Sequence, residues 1–263
     1  MTEGPRRVVV TGTGILCPLG NDGQTVWRRL LAGESGIAAI TKFDASRLPT
    51  RIAGEVKGFD PEDFIDRRAA RRMDPYSQYA VAAARQAVDD AGLDVAAEAV
   101  SIGAVVASGG GGLGTFEQQS RVLFEHGPGR MSPFFATMMI PNMAAAQVSL
   151  EIGVKGPLSA VCTACAAGAS AIGDAFEIIR RGAAAAMLAG GAEAPSTRRG
   201  WPPSASCGRS ARGTRPRKRR PAPSTPAATG SCWARARASS CSRSSSTLAP
   251  AARASRRRSS ATA

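Results

Sequence analysis

The sequence predicts an α/β fold for residues 1–197, followed by a segment of a different kind. Three short apolar runs, at residues 7–14, 101–107 and 183–190, have the length and composition of buried strands. Segments in which apolar residues recur at helical spacing separate these runs. Strands that alternate with helices in this way are typical of a sheet that carries helices on its faces.

Two helices are marked by the signals at their ends. Residues 21–32 form a short helix that ends at Gly33. Residues 74–91 form a longer helix, which the pair Asp74-Pro75 caps and Gly92 ends. One face of the longer helix is aromatic and small, and we expect it in the core: Tyr76, Tyr79, Ala83 and Ala87.

The first strand is expected to run into a glycine turn. Gly12-x-Gly14 matches half of the dinucleotide-binding pattern G-x-G-x-x-G. The third glycine is missing, because Cys17 occupies its position. The sequence therefore argues against a nucleotide site here.

Residues 131–150 are rich in methionine and phenylalanine, which favours an adaptable part of the core. The single histidine of the chain, His126, lies just before this stretch in a polar turn. We expect His126 to be a surface residue.

Cys165 is the strongest candidate for a reactive residue. It stands where an apolar approach (154–160) gives way to a helix that runs to Arg181 and ends at Gly182. Free backbone N–H groups and the positive end of a helix dipole favour a thiolate at such a position, which is how a cysteine becomes a nucleophile.

Two other interpretations of this cysteine stay open on the residues alone. A cysteine among Ala and Gly is often a small core residue. Cys162 and Cys165 also form a C-x-x-C, which occurs in redox and zinc sites. Zinc is disfavoured, because no second pair of Cys or His stands at ligand spacing, and the Ala-rich flanks disfavour a thioredoxin-like site.

Residues 5–197 resemble the β-ketoacyl-acyl-carrier-protein synthases, the condensing enzymes of fatty acid and polyketide synthesis. The matching motifs occur in family order: Val8-Val9-Val10-Thr11-Gly12-Thr13-Gly14, Leu31-Ala32-Gly33-Glu34-Ser35-Gly36-Ile37, Ser132-Pro133-Phe134-Phe135, Asn142-Met143, Thr163-Ala164-Cys165-Ala166-Ala167-Gly168 and Gly190-Gly191-Ala192-Glu193. The resemblance implies a thiolase-like layered αβαβα fold, of which this chain holds the first part.

The same resemblance implies the chemistry. Cys165 would accept an acyl group from the phosphopantetheine of an acyl carrier protein, and its backbone N–H would form half of an oxyanion hole. Malonyl-carrier protein would then lose CO₂, and its carbanion would attack the acyl-enzyme. Phe135 would lie against the bound acyl chain. The resemblance further implies a homodimer, with no metal and no free cofactor, and leaves fatty acid or polyketide synthesis open.

Decarboxylation in this family needs two histidines and a lysine from later segments, and this sequence lacks those segments. We therefore expect the chain to be truncated and inactive in condensation. One alternative is a catalytically silent partner subunit of a condensing-enzyme heterodimer. The presence of Cys165 argues against it, because such partners usually replace the nucleophile.

The basic charge belongs to residues 198–263. They contain 16 Lys and Arg residues without an acidic one, which leaves 18 basic against 20 acidic residues in 1–197. Such composition is typical of a disordered arm. A nucleic-acid-binding tail should carry aromatics among its arginines, and this one offers only Trp201 and Trp233.

A shifted reading frame explains the tail better. If residues 221–238 are encoded by G/C-rich codons, reading from the third base can give Arg-Pro-Phe-Asp-Ala-Arg-Arg-Asp-Gly-Phe-Val-Leu-Gly-Glu-Gly-Ala-Gly, which resembles the next family segment. We therefore expect residues 198–263 to be out of frame. The start of the chain lacks the pattern of a signal peptide and no run is long enough for a membrane span, so a cytoplasmic location is expected.

Overall fold

The computed structural model describes residues 6–48 and 50–195, together with the backbone of two short strands nearer the C-terminus. The expected disorder of residues 198–263 therefore falls outside the described residues, apart from those two strands. The described chain combines helices with one main sheet and a two-stranded sheet. This is the α/β class that the sequence predicts.

The described strands are β1 (Val8–Ile15), β2 (Ile37–Ala39), β3 (Ile52–Gly54), β4 (Ile102–Ala107), β5 (Leu158–Ser159), β6 (Ala186–Gly191), β7 (Cys232–Trp233) and β8 (Pro250–Ala254). The main sheet has six of them in the order β5-β4-β6-β7-β1-β8, and β8 also pairs with β6. Parallel pairing joins β4 to both β5 and β6. Both β7 and β8 pair antiparallel with β1 and with β6. The small sheet pairs β2 with β3.

Eight α-helices lie in the described part of the chain. They are α1 (Gly23–Leu31), α2 (Arg67–Ala70), α3 (Pro75–Ala91), α4 (Val95–Glu98), α5 (Leu113–His126), α6 (Phe135–Met139), α7 (Met143–Ile152) and α8 (Ala167–Arg180). No helix among the described residues is long and apolar enough to cross a membrane.

The end signals of α3 act as the sequence predicts. The Asp74 carboxylate accepts a hydrogen bond from the Tyr76 N–H at 3.2 Å, and Pro75 is the first helical residue. Gly92 ends the helix in the left-handed conformation, with φ of +58°. The predicted face of α3, which includes Tyr76 and Ala83, is fully buried.

Helices cover both faces of the main sheet. Side chains of α3 and α7 pack with Ile102, Ala104 and Leu188 in one apolar cluster. Side chains of α8 pack with Val105 and Met187 in a second cluster. Alternate residues of β4 and β6 therefore point to opposite helical layers, as expected for strands buried on both faces.

The predicted glycine turn at Gly12 and Gly14 is wrong, because both residues lie inside β1. They are small because α3 lies directly against the strand. A Cβ on Gly14 would lie 1.9 Å from the Ala83 carbonyl oxygen, and one on Gly12 would lie 2.2 Å from that of Ala87. The two glycines therefore serve helix packing, and no phosphate-binding loop forms here.

Three other expectations need correction. Residues 8–10 of β1 are only half-buried. The stretch at 131–150 is not uniformly core, because Phe134 and Ile140 are exposed and Phe135 is half-buried. His126 is at the surface, as predicted, but it is the last residue of α5 and not part of a turn.

Candidate active site

Cys165 lies in a single 3-10 turn, Ala164–Ala166, immediately before α8. It is exposed, so the interpretation as a small core residue is wrong. Ala164 has a φ of +50°, in the left-handed region that L-residues with a Cβ rarely adopt. An alanine held in this conformation costs about 1 kcal/mol, and strain of this kind concentrates at functional sites.

We call residues 162–166 the cysteine turn. The Ala166 N–H donates to the Thr163 carbonyl oxygen at 3.1 Å. The Thr163 and Ser170 hydroxyls share a hydrogen bond of 2.9 Å, which ties the turn to the first turn of α8. The N-cap residue of α8 is Ala166, whose methyl side chain cannot cap the helix. Its first N–H groups therefore give the turn a positive electrostatic environment that suits a developing oxyanion.

Close contact with β6 fixes the start of α8. A Cβ on Gly191 would lie 3.0 Å from the Gly168 Cα atom, so a side chain at position 191 would require a small shift of the helix. Glycine at position 191 allows the first turn of α8 to lie on the C-terminal end of β6. The same end of β6 leads directly to Glu193.

Glu193 belongs to the site, although the sequence analysis assigned it no role. Its Oε1 accepts hydrogen bonds from the Ser108 hydroxyl at 2.9 Å, from the Gly110 N–H at 3.1 Å and from the Gly109 N–H. Burial raises the pKa of this carboxyl group, and the hydrogen bonds oppose that effect. A carboxylate in this place organises the loop that follows β4.

We call residues 108–112 the glycine loop. At one end, the Gly109 carbonyl oxygen accepts a hydrogen bond from the Cys162 thiol, with a sulfur–oxygen distance of 3.7 Å. At the other end, the Gly112 N–H donates to the Met139 carbonyl oxygen at 2.9 Å. The glycine loop therefore connects the cysteine turn to α6.

Phe135 is the first residue of α6. Its ring lies near Phe116 of α5, with 6.4 Å between the ring centroids and 30° between the planes. Phe135 and Cys165 thus lie in separate elements that the glycine loop connects. The assignment of Phe135 to the acyl chain stays a prediction.

The two cysteines of the C-x-x-C are both exposed free thiols, as Cys165 and Cys162 carry no disulfide. Cys17 is also free and is half-buried. Among the residues that the structure describes, no group of three or more His, Cys, Asp or Glu side chains could hold a metal ion.

A basic cluster on and beside α2 was also missed. Arg67, Arg68 and Arg71, with Asp66, line an open pocket of about 450 Å³. The Arg72 guanidinium lies 4.6 Å from the centroid of the Phe134 ring, which places the basic segment next to the stretch that leads into α6. The paired arginines at 67–68 and 71–72 are the sequence signal that could have indicated it.

Comparison with known proteins identifies the family. The family model described as the N-terminal domain of β-ketoacyl synthase matches residues 5–238, which extends beyond residue 197. The 3-oxoacyl-(acyl-carrier-protein) synthase 2 of Staphylococcus aureus (strain COL) is 50% identical over 193 residues, which cover 73% of this chain and 47% of the relative. The enzyme of the same name from Synechocystis sp. is 47% identical and is covered to 46%.

Solved structures give the same answer. A type II PKS ketosynthase in complex with its acyl-carrier protein (AntDE:AntF) is 29% identical with a TM-score of 0.63, covering 74% of this chain and 53% of that one. The ishigamide ketosynthase/chain length factor is 33% identical with a TM-score of 0.66, covering 73% and 48%. The chain spans about half the length of the curated relatives it matches. Its fold is thus an incomplete thiolase-like α/β fold, and the chain belongs to the β-ketoacyl synthase family.

Proposed function

We propose that this chain carries the acyl-accepting half of a 3-oxoacyl-acyl-carrier-protein synthase, with Cys165 as the nucleophile. The observation that carries this proposal is the exposed thiol on a turn that follows the left-handed Ala164 and leads directly into α8. The positive dipole end at the start of α8, which the Ala166 side chain does not cap, favours the negative charge that develops during attack.

Acyl transfer forms one thioester and breaks another. The Cys165 thiol gives up its proton, and the thiolate sulfur attacks the thioester carbonyl of an acyl group carried on phosphopantetheine. The tetrahedral intermediate expels the phosphopantetheine thiolate, which takes up a proton. The Cys165 backbone N–H is one donor to the oxyanion. Phe135 is the residue proposed to contact the acyl chain.

Condensation also requires decarboxylation and the formation of a carbon–carbon bond. Malonyl-carrier protein loses CO₂, and its carbanion attacks the acyl-cysteine carbonyl. The tetrahedral intermediate then expels the Cys165 thiolate, and the 3-oxoacyl product remains as a thioester of the carrier protein. Family resemblance assigns two histidines to the decarboxylation. The single histidine of these 263 residues, His126, is exposed at the end of α5. We propose that the chain accepts an acyl group without condensing it.

The proposed partner is an acyl carrier protein. The cluster of Arg67, Arg68 and Arg71 is suited to an anionic partner such as the phosphodiester of a phosphopantetheine arm. A related ketosynthase has been solved with its acyl-carrier protein, which supports this assignment. We propose a homodimer as the intact family assembly, with β5 as an interface candidate because this short strand is exposed. We also propose a cytoplasmic location.

We propose, further, that the family domain ends near Thr197 and that residues 198–263 are read out of frame. Their 16 basic residues without an acidic one support this, because 1–197 are nearly balanced. The nucleotide sequence tests the proposal. A shifted frame should continue into Asp-Gly-Phe-Val-Leu-Gly-Glu-Gly-Ala-Gly, and a stop codon within a few residues would overturn it.

Acyl loading tests the function. The 263-residue chain is incubated with an octanoyl thioester of a carrier protein, and peptides are analysed by mass spectrometry. We expect the octanoyl group on Cys165, and none in the Cys165→Ala variant. The Cys162→Ala variant is the matched control and should load normally. Octanoylation of Cys162, or loading that persists in Cys165→Ala, would refute the proposal.

A second assay adds malonyl-carrier protein. We expect no 3-oxoacyl product above the Cys165→Ala background. Turnover above that background would show that His126 or another group supplies the decarboxylation chemistry, and the restriction to acyl transfer would fail.

A further inference from the structure

We propose that Glu193 is a positioning residue that holds the glycine loop against the cysteine turn and thereby makes Cys165, and not Cys162, the reacting thiol. This inference rests on the proposed role of Cys165 as nucleophile. It assigns a function to a carboxyl group that no acyl-transfer step uses directly.

Hydrogen bonds attach the glycine loop to Glu193. One carboxylate oxygen accepts from three donors of the glycine loop, namely the hydroxyl of Ser108 and the N–H groups of Gly109 and Gly110. Ser108 is buried, and its own hydroxyl oxygen accepts from the Gly111 N–H at 2.8 Å. Each donor would lose a partner inside the protein if this carboxylate were removed, and the loss is most costly for the buried Ser108 hydroxyl.

The glycine loop also contacts the cysteine turn. The Gly109 carbonyl oxygen holds the thiol hydrogen of Cys162. The backbone of Gly109 lies so close to Ala164 that a Cβ on Gly109 would be 3.2 Å from the Ala164 carbonyl oxygen and 3.2 Å from a Glu193 carboxylate oxygen. The loop is therefore packed between the anchoring carboxylate and the strained residue that precedes Cys165.

The other side of the glycine loop packs against the end of α6. A Cβ on Gly111 would lie 2.4 Å from the Met139 carbonyl oxygen, and one on Gly112 would lie 2.2 Å from that of Met138. The end of α6 thus closes over the loop. A displacement of the loop would move this helix, which carries the proposed acyl-contacting Phe135, as well as the cysteine turn.

These contacts predict how the two thiols differ. With the loop in place, the Cys162 thiol is engaged by Gly109 while Cys165 is presented at the start of α8. Without its anchor, the loop releases Cys162 and no longer supports the left-handed Ala164. The preference for Cys165 over Cys162 should then decrease. Glutamine at position 193 keeps an oxygen that accepts the same hydrogen bonds, so it should preserve most of the preference.

The experiment measures alkylation of three cysteines in one molecule. The full 263-residue chain is treated with limiting iodoacetamide, and labelling of Cys165, Cys162 and Cys17 is quantified by peptide mapping. Cys17 reports on the fold, because burial raises its pKa and slows its reaction while the chain is folded. We expect Cys165 to be labelled about tenfold faster than Cys162 in the wild-type chain.

Three variants decide the outcome. In Glu193→Ala, the ratio of Cys165 to Cys162 labelling should decrease to about 2 while Cys17 stays slow, and in Glu193→Gln it should stay within about 1.5-fold of wild type. Glu177→Ala removes an exposed carboxylate of α8 and should leave the ratio unchanged. If Glu193→Ala labels Cys17 rapidly, it has unfolded, and Ser108→Ala, which removes one of the three donors, replaces it with an expected decrease of about threefold.

An unchanged ratio in a folded Glu193→Ala, or in Ser108→Ala where the first variant unfolds, would overturn the inference. A ratio in Glu193→Gln as low as in Glu193→Ala would also overturn it, because the charge and not the hydrogen-bond acceptor would then matter. Iodoacetamide needs no acyl group or carrier protein. A normal alkylation pattern without octanoyl loading would therefore remove the proposed function and leave the positioning role of Glu193 intact.

Discussion

The substitution Gly14→Ala tests the packing of β1 on α3 most directly. The added Cβ would lie 1.9 Å from the Ala83 carbonyl oxygen, 2.8 Å from its carbonyl carbon and 2.9 Å from the Gln86 Cβ. Two of these atoms belong to the helix backbone, which cannot rotate away as a side chain does. To restore a van der Waals contact of about 3.4 Å, strand and helix must separate by about 1.5 Å.

The cost of this separation can be estimated from the contacts that join the two elements. Overpacking of a tight core costs about 1–3 kcal/mol. The shift also strains hydrogen bonds that cross from β1 to α3, in which the Ile15 N–H donates to the Gln86 Oε1 and the Thr13 N–H to Asp90. Each is worth about 1 kcal/mol. We therefore expect Gly14→Ala to reduce the free energy of unfolding by about 3–5 kcal/mol.

The assay is urea unfolding of the full chain, followed by far-UV circular dichroism. Gly173→Ala is the matched control, because Gly173 is an exposed residue near the middle of α8 and a Cβ there meets nothing within 4 Å. Alanine at a helical position of this kind should stabilise by up to about 1 kcal/mol. A Gly14→Ala variant within about 1 kcal/mol of wild type would refute the close packing of β1 on α3.

Three further changes test other contacts. Asp74→Ala removes the cap of α3 and the acceptor of two Thr115 hydrogen bonds at 2.8 and 3.0 Å, so urea unfolding should show a loss of about 3 kcal/mol; a loss below about 1 kcal/mol would contradict this. Burial raises the pKa of the Glu193 carboxyl group from its ordinary 4.5, so the folded chain binds this proton more tightly than the unfolded chain does. The bound proton therefore stabilises the folded chain at low pH, and this stabilisation is lost as the pH rises from 4.5 through the raised pKa. Glu193→Gln should make the pH dependence of the urea midpoint less negative over this range, and an unchanged slope would count against it. Arg71→Glu should raise the concentration of carrier-bound thioester that gives half the maximal rate of Cys165 loading about threefold, while the matched exposed-site variant Arg121→Glu should not. Equal effects would remove α2 as the docking surface.

The local signals of the sequence predict the ends of α3 and the place of Cys165 well. Asp74-Pro75 and Gly92 act on their own neighbours, so their effect is readable without the fold. The residues on either side of Cys165 likewise predict that it lies just before a helix, which is α8. Both predictions depend on a few adjacent residues and on nothing distant.

The errors concern positions whose partners are far away in sequence. Gly12 and Gly14 look like turn residues, but the reason for them is a helix some seventy residues later, as the bond between Ile15 and Gln86 illustrates with a separation of 71. Glu193 has the same character, because its donor Gly109 is 84 residues away. The stretch 131–150 is a third case, because its apolar composition does not show that Phe134 lies at the surface.

The helical layers of this protein are lined largely by alanine. The buried residues of α3 include five alanines (Ala80, Ala82, Ala83, Ala84 and Ala87), and those of α8 include three (Ala167, Ala171 and Ala175). An alanine side chain loses no rotamer freedom when it is buried. These layers therefore assemble with a small loss of conformational entropy, but they also contain few flexible side chains that could rearrange around a larger neighbour. Enlarging a buried alanine should move a whole helix, so natural variation at these positions should be confined to residues of similar volume.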